Sequence, residues 1–224
     1  MQTDGEQFAS TPPPAPPPGP APALPPWEER GRYGFLNALY LTTRDILGAP
    51  ERFFARVPVR GGLWQPLLFA LVVGTLSAFL DWMWTLAASS LRILIEEDVA
   101  RLLRGQLSSG FAFIMSPGIA FVTVFVQAGI VHLCLLVVDG ARSGFEATFR
   151  AVAYAQAVWI LAALPFCGNV IALFWGAIVT VIGLRRLHGT TTWRAVLAVS
   201  LPMVFCLASC AGLALLGVAK GLLD

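Results

Sequence analysis

Few side chains in the apolar part of this chain could carry a proton or a cation, and Asp81 is the most costly of them by position. Asp81 follows twenty uncharged residues, and a carboxylate in lipid is unfavourable unless water or a partner reaches it. It is therefore a candidate proton or cation site. The alternative is a carboxylate at the membrane boundary, paired with Arg92 or with a helix end. Its position near the end of an apolar segment favours this second interpretation.

A second candidate lies deeper, where His132 follows Gln127 and precedes Asp139 by seven residues on nearly the same helical face. These side chains could form a proton relay. A buried histidine in a helical bundle more often makes one interhelical hydrogen bond, worth about 1 kcal/mol, and we expect that role for His132. Three further polar side chains need partners, and we interpret them as interhelical hydrogen-bonding groups: Tyr154, Gln156 and Asn169.

The other reactive residue types form no catalytic or metal-binding pattern. The sequence contains no nucleophile elbow, phosphate-binding glycine loop or His-Glu-x-x-His pattern, so we expect no enzyme. Four cysteines lie in or beside apolar segments without disulfide spacing: Cys134, Cys167, Cys206 and Cys210. Only His132 and His188 could complete a soft-metal site, so we expect no metal and no cofactor. A net charge of +2 without a basic patch argues against nucleic acid as a partner.

Composition indicates which elements must position these side chains. Hydrophobic residues make up 57% and charged residues 12% of the chain, with a mean hydropathy of +0.72, which is typical of an integral membrane protein. Residues 151–184 carry no charge, and Pro165-Phe166-Cys167-Gly168-Asn169 stands halfway along them. One helix of that length would rise about 50 Å, whereas a hydrocarbon core is about 30 Å thick. The segment therefore predicts a hairpin.

We predict an all-α fold, a polytopic integral membrane bundle of five transmembrane helices with N-terminal amphipathic interfacial helices. The five-span membrane domain covers residues 61–224, with spans at about 64–84, 113–138, 147–164, 170–184 and 195–217. Between the first two spans, mixed charged and apolar residues at 91–107 predict a further interfacial helix. Small residues at helical spacing on the third and fifth spans favour a compact core or a homo-oligomer interface.

Two regions precede the predicted bundle. Residues 1–23 have no signal-peptide pattern, and ten of the fifteen residues from Pro12 to Pro26 are proline. We expect a disordered proline-rich tail, either a spacer or a ligand for a partner domain. Residues 27–60 have the period of two amphipathic helices, the first ended by Gly48 and the second begun by Pro50.

The second amphipathic helix has two alternative environments. Phe53 and Phe54 could wedge into lipid while three arginines reach lipid phosphates, or the helix could dock onto the bundle, and both could hold together along different edges of the helix. The three arginines are Arg52, Arg56 and Arg60.

The distribution of arginine and lysine predicts the orientation. With five spans, eleven basic residues share the side of the N-terminus and four lie opposite, whereas one crossing at 151–184 would divide them nine to six. Because the basic side is usually cytoplasmic, we expect a cytoplasmic N-terminus and a C-terminus outside.

Three stretches carry a family resemblance: Gly62-Leu63-Trp64-Gln65-Pro66-Leu67-Leu68-Phe69, Phe149-Arg150-Ala151-Val152-Ala153-Tyr154-Ala155-Gln156, and Trp175 through Gly183-Leu184-Arg185-Arg186-Leu187-His188-Gly189-Thr190. They resemble the Yip domain family of Rab/Ypt-interacting-protein-like five-span membrane proteins, in a bacterial branch. The positions that carry the resemblance are Trp64, Pro66, Tyr154, Gln156, Trp175, Gly183 and His188. The eukaryotic pattern is similar to Asp-Leu-Trp-Gly-Pro, and here Gly62 and Gln65 replace the acid and the glycine.

The resemblance implies an all-helical membrane fold with a cytoplasmic N-terminal region, and for a bacterial member the cytoplasmic (inner) membrane. In eukaryotes it implies factors that bind small GTPases and serve vesicle transport. Bacteria have no such traffic, so that role is not carried over.

Two functional hypotheses follow. We expect a non-enzymatic membrane scaffold or adaptor that contacts membrane lipids and recruits a protein partner through its N-terminal region. The alternative is a small-solute or ion transporter, or a lipid scramblase, with a polar path through the bundle. A continuous hydrated groove would indicate transport, and separately satisfied polar groups would indicate a scaffold.

Overall fold

The computed structural model describes residues 23–92, 99–165 and 167–205, and every regular element in these ranges is helical. In chain order the α-helices are α1 (Arg30–Tyr33), α2 (Phe35–Gly48), α3 (Pro50–Arg56), α4 (Trp64–Arg92), α5 (Val99–Val137), α6 (Gly144–Ala155), α7 (Gly168–His188) and α8 (Thr192–Phe205). A 3₁₀ segment, Gln156–Ala163, continues α6. The all-α prediction is confirmed. The proline-rich residues 1–22 and the end of the predicted fifth span, with Cys206 and Cys210, lie outside the described residues.

Three helices are long and apolar enough to cross a membrane: Trp64–Ala88 in α4, Leu107–Val137 in α5, and Gly168–His188. They coincide with the first, second and fourth predicted spans. At 1.5 Å per residue the 39 residues of α5 rise about 58 Å, well beyond the thickness of a hydrocarbon core. One end of α5 must therefore extend past the lipid.

The separate interfacial helix predicted for 91–107 does not form in the described residues. α4 continues to Arg92, and α5 runs unbroken from Val99 into the apolar span; residues 93–98 lie outside the description. The helical period of Val99, Leu102 and Leu103 continues into that span without a proline before Pro117. The single helix α5 therefore takes the place of the end of the predicted interfacial helix and the predicted second span.

α6 is the centre of the fold. Nine consecutive residues, Ala147 to Ala155, are buried, because α4, α5 and α7 pack around them. α6 and the 3₁₀ segment together rise about 34 Å, close to the thickness of a hydrocarbon core. The chain then reverses direction, and α7 packs against both α6 and the 3₁₀ segment. This is the arrangement of the predicted hairpin.

Gly183 allows α3 and α6 to approach α7 closely. A Cβ at this position would lie 2.9 Å from Phe54 Cζ and 3.1 Å from Ala151 Cβ. Phe53 is 0% and Phe54 2% exposed, so neither ring wedges into lipid. Both rings therefore dock onto the bundle, which is one of the two predicted environments. Gly183 leaves room for Phe54 because it has no side chain.

α2 is helical as predicted but presents a different face to the bundle. It buries Ala38 and Ile46 and exposes Leu36 and Tyr40, although these two belong to the run of apolar residues at three- and four-residue spacing in this helix. The reason is the preceding segment, whose Trp27 backbone N–H donates to Thr42 Oγ1 over 3.0 Å and whose Pro25 and Pro26 are buried. Packing therefore includes the last two residues of the predicted tail.

Candidate functional site

The segment before α1 inserts an acidic side chain against α6. Glu28 Oε1 accepts an ion-paired hydrogen bond from Arg150 Nη2 and a 2.6 Å hydrogen bond from the Tyr154 hydroxyl. The Arg150 side chain is fully buried and that of Glu28 is 8% exposed. Because Arg150 and Tyr154 are one turn apart, α6 presents both donors to the same carboxylate. The pairing neutralises a cation that would be very costly to bury alone.

Glu146, one turn before Arg150, holds the loop that leads into α4. Its Oε1 accepts hydrogen bonds from the backbone N–H groups of Gly61 at 2.7 Å and Gly62 at 2.6 Å. Gly62 has φ +79°, a backbone conformation that favours glycine. This is the position at which the related eukaryotic pattern has an acidic residue. The bonds from Gly61 and then Gly62 hold the pKa of the Glu146 carboxyl below its usual value. The Gly62 carbonyl in turn accepts from Arg150 Nη1 at 2.8 Å.

Trp27 anchors the same segment to α4. It is fully buried, its Nε1–H donates to the Gln65 carbonyl over 2.8 Å, and its ring lies edge-on to Phe69 at 5.5 Å between centroids. Arg30 donates to the Gln65 side chain. The stretches that begin at Gly62 and at Phe149 thus meet around residues 27–30.

Tyr154 joins three parts of the molecule. Its ring packs against Phe53 at 5.2 Å and Phe69 at 5.4 Å, while its hydroxyl binds Glu28. Tyr154 does hydrogen-bond across elements, but its partner comes from before α1 and not from another predicted span.

A second polar cluster links α5, α6 and α7. His132 Nδ1 lies 2.8 Å, and His188 Nε2 2.9 Å, from Thr148 Oγ1. The Ser143 backbone N–H donates to His188 Nδ1 over 3.2 Å, so neutral His188 carries its proton on Nε2 and donates it to Thr148. The Thr148 hydroxyl can then donate to His132 Nδ1. His132 has the interhelical role expected of it, through a threonine that sequence analysis missed.

The predicted grouping of His132 with Gln127 and Asp139 does not form. α5 ends at Val137, so Asp139 leaves the helical face that it would share with His132. It has φ +53°, and its side chain, 95% exposed, lies 3.4 Å from Arg194 Nη1. Gln127 instead accepts a 2.8 Å hydrogen bond from Gln156 Nε2.

The Yip1 domain sequence model matches residues 44–213, more than half of the chain. The chain belongs to the Yip1 domain family. It is a membrane protein with three helices able to cross a bilayer. No curated protein and no solved structure matches it. Glu28 lies before the matched residues and Arg150 lies among them, so the buried ion pair fastens an N-terminal extension to the Yip1 domain.

The remaining family-motif positions of the Yip1 domain differ in their surroundings. Trp64 begins α4 and is 62% exposed, Pro66 is buried in its first turn, and Trp175 on α7 is partly buried. Gly183 receives Phe54, and His188 is buried in the threonine-linked cluster.

The Yip1 domain contains a cavity of about 580 Å³ between α5, the 3₁₀ segment, α7 and α8. Its walls are mostly apolar, including Val126, Trp159 and Leu173. The side chains of Gln127 and Gln156, which are hydrogen-bonded to each other, also line this cavity.

A smaller cavity of about 330 Å³ lies between α4, α5 and the 3₁₀ segment. It is lined by Asp81, Asn169 and Gln156, and by Ser77 and Ser116, whose hydroxyls are buried without a hydrogen-bond partner in the described part of the chain. Gln156 lines both cavities. The predicted pairing of Asp81 with Arg92 cannot be placed, because the Arg92 side chain lies outside the description, and no described side chain forms an ion pair with Asp81.

Proposed function

We propose that this Yip1 domain protein is a non-enzymatic membrane scaffold whose N-terminal segment displays a docking face for a protein partner. The buried Glu28–Arg150 ion pair carries the proposal, because it fastens the residues that follow the proline-rich stretch to the central helix. A partner held by α1–α3 would keep a fixed position relative to the membrane helices, and a partner held by residues 1–22 would be tethered to them.

The proposal includes five spans in a bacterial cytoplasmic (inner) membrane. Glu51 on α3 pairs with Arg185 and Arg186 at the end of α7, so these two points share one side of the membrane. An even number of crossings must then separate them, which favours a crossing by α6 and the 3₁₀ segment in addition to α4, α5 and α7. α8 would begin the fifth. Because this side carries most of the basic residues, we assign it and the N-terminus to the cytoplasm. With five spans the C-terminus then lies outside.

Crosslinking in native membranes followed by mass spectrometry tests the scaffold. Removing residues 1–60 would also remove Trp27, Glu28, Phe53 and Phe54, which are part of the core or its ion pair, so the informative deletion is residues 1–22. The matched control replaces these residues by a Gly/Ser linker of equal length. A specific neighbour lost in both variants supports a tail that binds a partner. Neighbours unchanged in both variants contradict this role for the tail.

A second function is favoured by the smaller cavity. The unpaired hydroxyls of Ser77 and Ser116, with Asp81 and Asn169, make a polar site beside apolar helices. Such a site could take part in moving a small solute, an ion or a lipid headgroup.

Liposomes containing the purified protein test this second function by ion flux and lipid flipping. Asp81→Asn should reduce any activity of the wild type. His132→Ala, which alters a residue outside both cavities, should not. A wild-type protein without activity would remove the transport hypothesis.

A further inference from the structure

We propose that the groove between α2 and α3 binds the phosphomonoester headgroup of an anionic lipid. The groove has a volume of about 470 Å³ and is lined by three arginines, one aspartate and two small residues: Arg44, Arg52, Arg56, Asp45, Gly48 and Ala49. This ligand site goes beyond the scaffold proposal and does not depend on a protein partner.

The groove has an excess of positive charge. Asp45 pairs with Arg44, Nη2 to Oδ1 at 2.9 Å, and with Arg56, Nη2 to Oδ2 at 2.6 Å. One carboxylate cannot neutralise three guanidinium groups, so two positive charges remain. Arg52 is exposed and has no hydrogen-bond or ion-pair partner in the part of the chain that the structure describes. The single acid thus orients two arginines while the third stays available for a ligand.

This charge matches a phosphomonoester, which carries about −1.5 to −2 near pH 7. Arginine binds phosphate oxygens with its planar pair of N–H groups, and a monoester offers three terminal oxygens to three arginines. A phosphodiester has one negative charge and two such oxygens, so it should bind less tightly. Nearby Glu51 does not oppose the ligand, because Arg185 and Arg186 already neutralise it.

The exposed stripe of α2 favours a lipid as the source of the phosphate. Leu36, Tyr40 and Arg44 follow each other at intervals of four residues, so they lie along one side of the helix. Leu36 is 76% and Tyr40 63% exposed, and the Arg44 side chain 58%. Two apolar side chains leading to an arginine are typical of a helix at a lipid surface. α2 also contacts the 3₁₀ segment, and α3 contacts α7, which places the groove beside the membrane-crossing elements.

Native mass spectrometry of the full chain in detergent micelles tests the site. The probes are dioctanoyl phosphatidic acid, dioctanoyl phosphatidylglycerol and inorganic phosphate. We expect the phosphatidic acid to bind most tightly, and Arg52→Gln to weaken it by about tenfold, as for the loss of one charge-assisted hydrogen bond. The matched control is Arg142→Gln, an exposed arginine between α5 and α6, which should leave binding unchanged.

Three results would overturn the proposal. If Arg52→Gln binds phosphatidic acid as tightly as the wild type does, the groove is not the site. If the wild type binds phosphatidylglycerol as tightly as phosphatidic acid, the site has no preference for a monoester. Saturation by inorganic phosphate at the same concentration as the lipid would make the free anion the ligand. An unchanged thermal unfolding midpoint for Arg52→Gln verifies that the variant folds. The scaffold proposal is tested separately by its protein neighbours, so the two can fail independently.

Discussion

Glu28 and Arg150, 122 residues apart in the chain, form a buried ion pair that joins the segment before α1 to the central helix of the bundle. The Tyr154 hydroxyl also donates to Glu28, and Arg150 also donates to the Gly62 carbonyl. The pair makes the N-terminal segment part of the folded membrane domain.

Removing one member of this pair should be strongly destabilising. Arg150→Met leaves the Glu28 carboxylate buried without a counter-ion, and we expect a loss of about 3–5 kcal/mol in the free energy of unfolding. Denaturation in detergent micelles, followed by circular dichroism, measures it. Arg142→Met, at an exposed position, is the control and should have little effect. The double variant Glu28→Leu/Arg150→Met should recover much of the loss, and its failure to do so would mean that packing outweighs the charge.

The hydroxyl of Thr148 should stabilise the contact between α5, α6 and α7. Thr148→Val keeps the shape of the side chain but leaves the ring nitrogens His132 Nδ1 and His188 Nε2 without their shared partner. We expect a loss of about 1–3 kcal/mol, measured as above. Thr148→Ser retains the hydroxyl and should lose less. Equal losses for the two variants would contradict a role for the hydrogen bonds.

Glu146 should make stability depend on pH in the acidic range. Hydrogen bonds from Gly61 and Gly62 lower the carboxyl pKa from its ordinary value of 4.5. The folded state therefore favours the ionised form, and this contribution is complete above pH 4.5 and lost as the pH falls through the folded pKa. The thermal unfolding midpoint of the wild type should fall below pH 4.5 more steeply than that of Glu146→Gln. Parallel curves would assign the acid sensitivity to other carboxylates.

Gly183 should not tolerate a side chain. In Gly183→Ala the new methyl group would lie 2.9 Å from the buried Phe54 ring, and we expect a loss of about 1–3 kcal/mol from overpacking. The control is Gly129→Ala on α5, where a Cβ meets nothing within 4 Å. That change should be neutral or stabilising by up to about 1 kcal/mol. Similar unfolding midpoints for both variants would show that α3 can move away without cost.

The proposed five spans predict a pattern of cysteine labelling in intact cells. In a background without native cysteines, Arg32→Cys and Thr191→Cys should react with a membrane-impermeant maleimide only after permeabilisation. Gly105→Cys, before the apolar span of α5 and beyond one crossing, should react in intact cells. Labelling of Thr191→Cys but not Arg32→Cys before permeabilisation would mean an odd number of crossings between them and would end the five-span proposal.

Helices were predictable from local sequence, because length and hydropathy are properties of a continuous segment. α4, α5 and α7 follow from their apolar runs. The charged residues at 91–107 misled the prediction, because charge suits an interfacial helix and the protruding end of a long helix equally well. Helix contacts such as that of Phe54 with Gly183 depend on which faces meet, and periodicity alone does not determine this.

The polar partners were mostly beyond sequence reasoning. Arg150 and Tyr154, one turn apart among small apolar residues, indicate a buried cation that needs an acid. Nothing local indicates that the acid is Glu28, which lies beside a proline-rich stretch. No sequence pattern distinguishes Thr148 either. Its role as a hydrogen-bonding partner is recognised only from the structure, in which it lies between His132 and His188.

The 39 residues of α5 have a practical consequence for imaging. Because the helix is nearly twice as long as the hydrocarbon core is thick, we expect its first turns to extend beyond the core at the end opposite to the arginine groove. A rigid fusion partner or antibody fragment attached there would add mass to a small membrane protein without covering the face on which Glu51 meets α7.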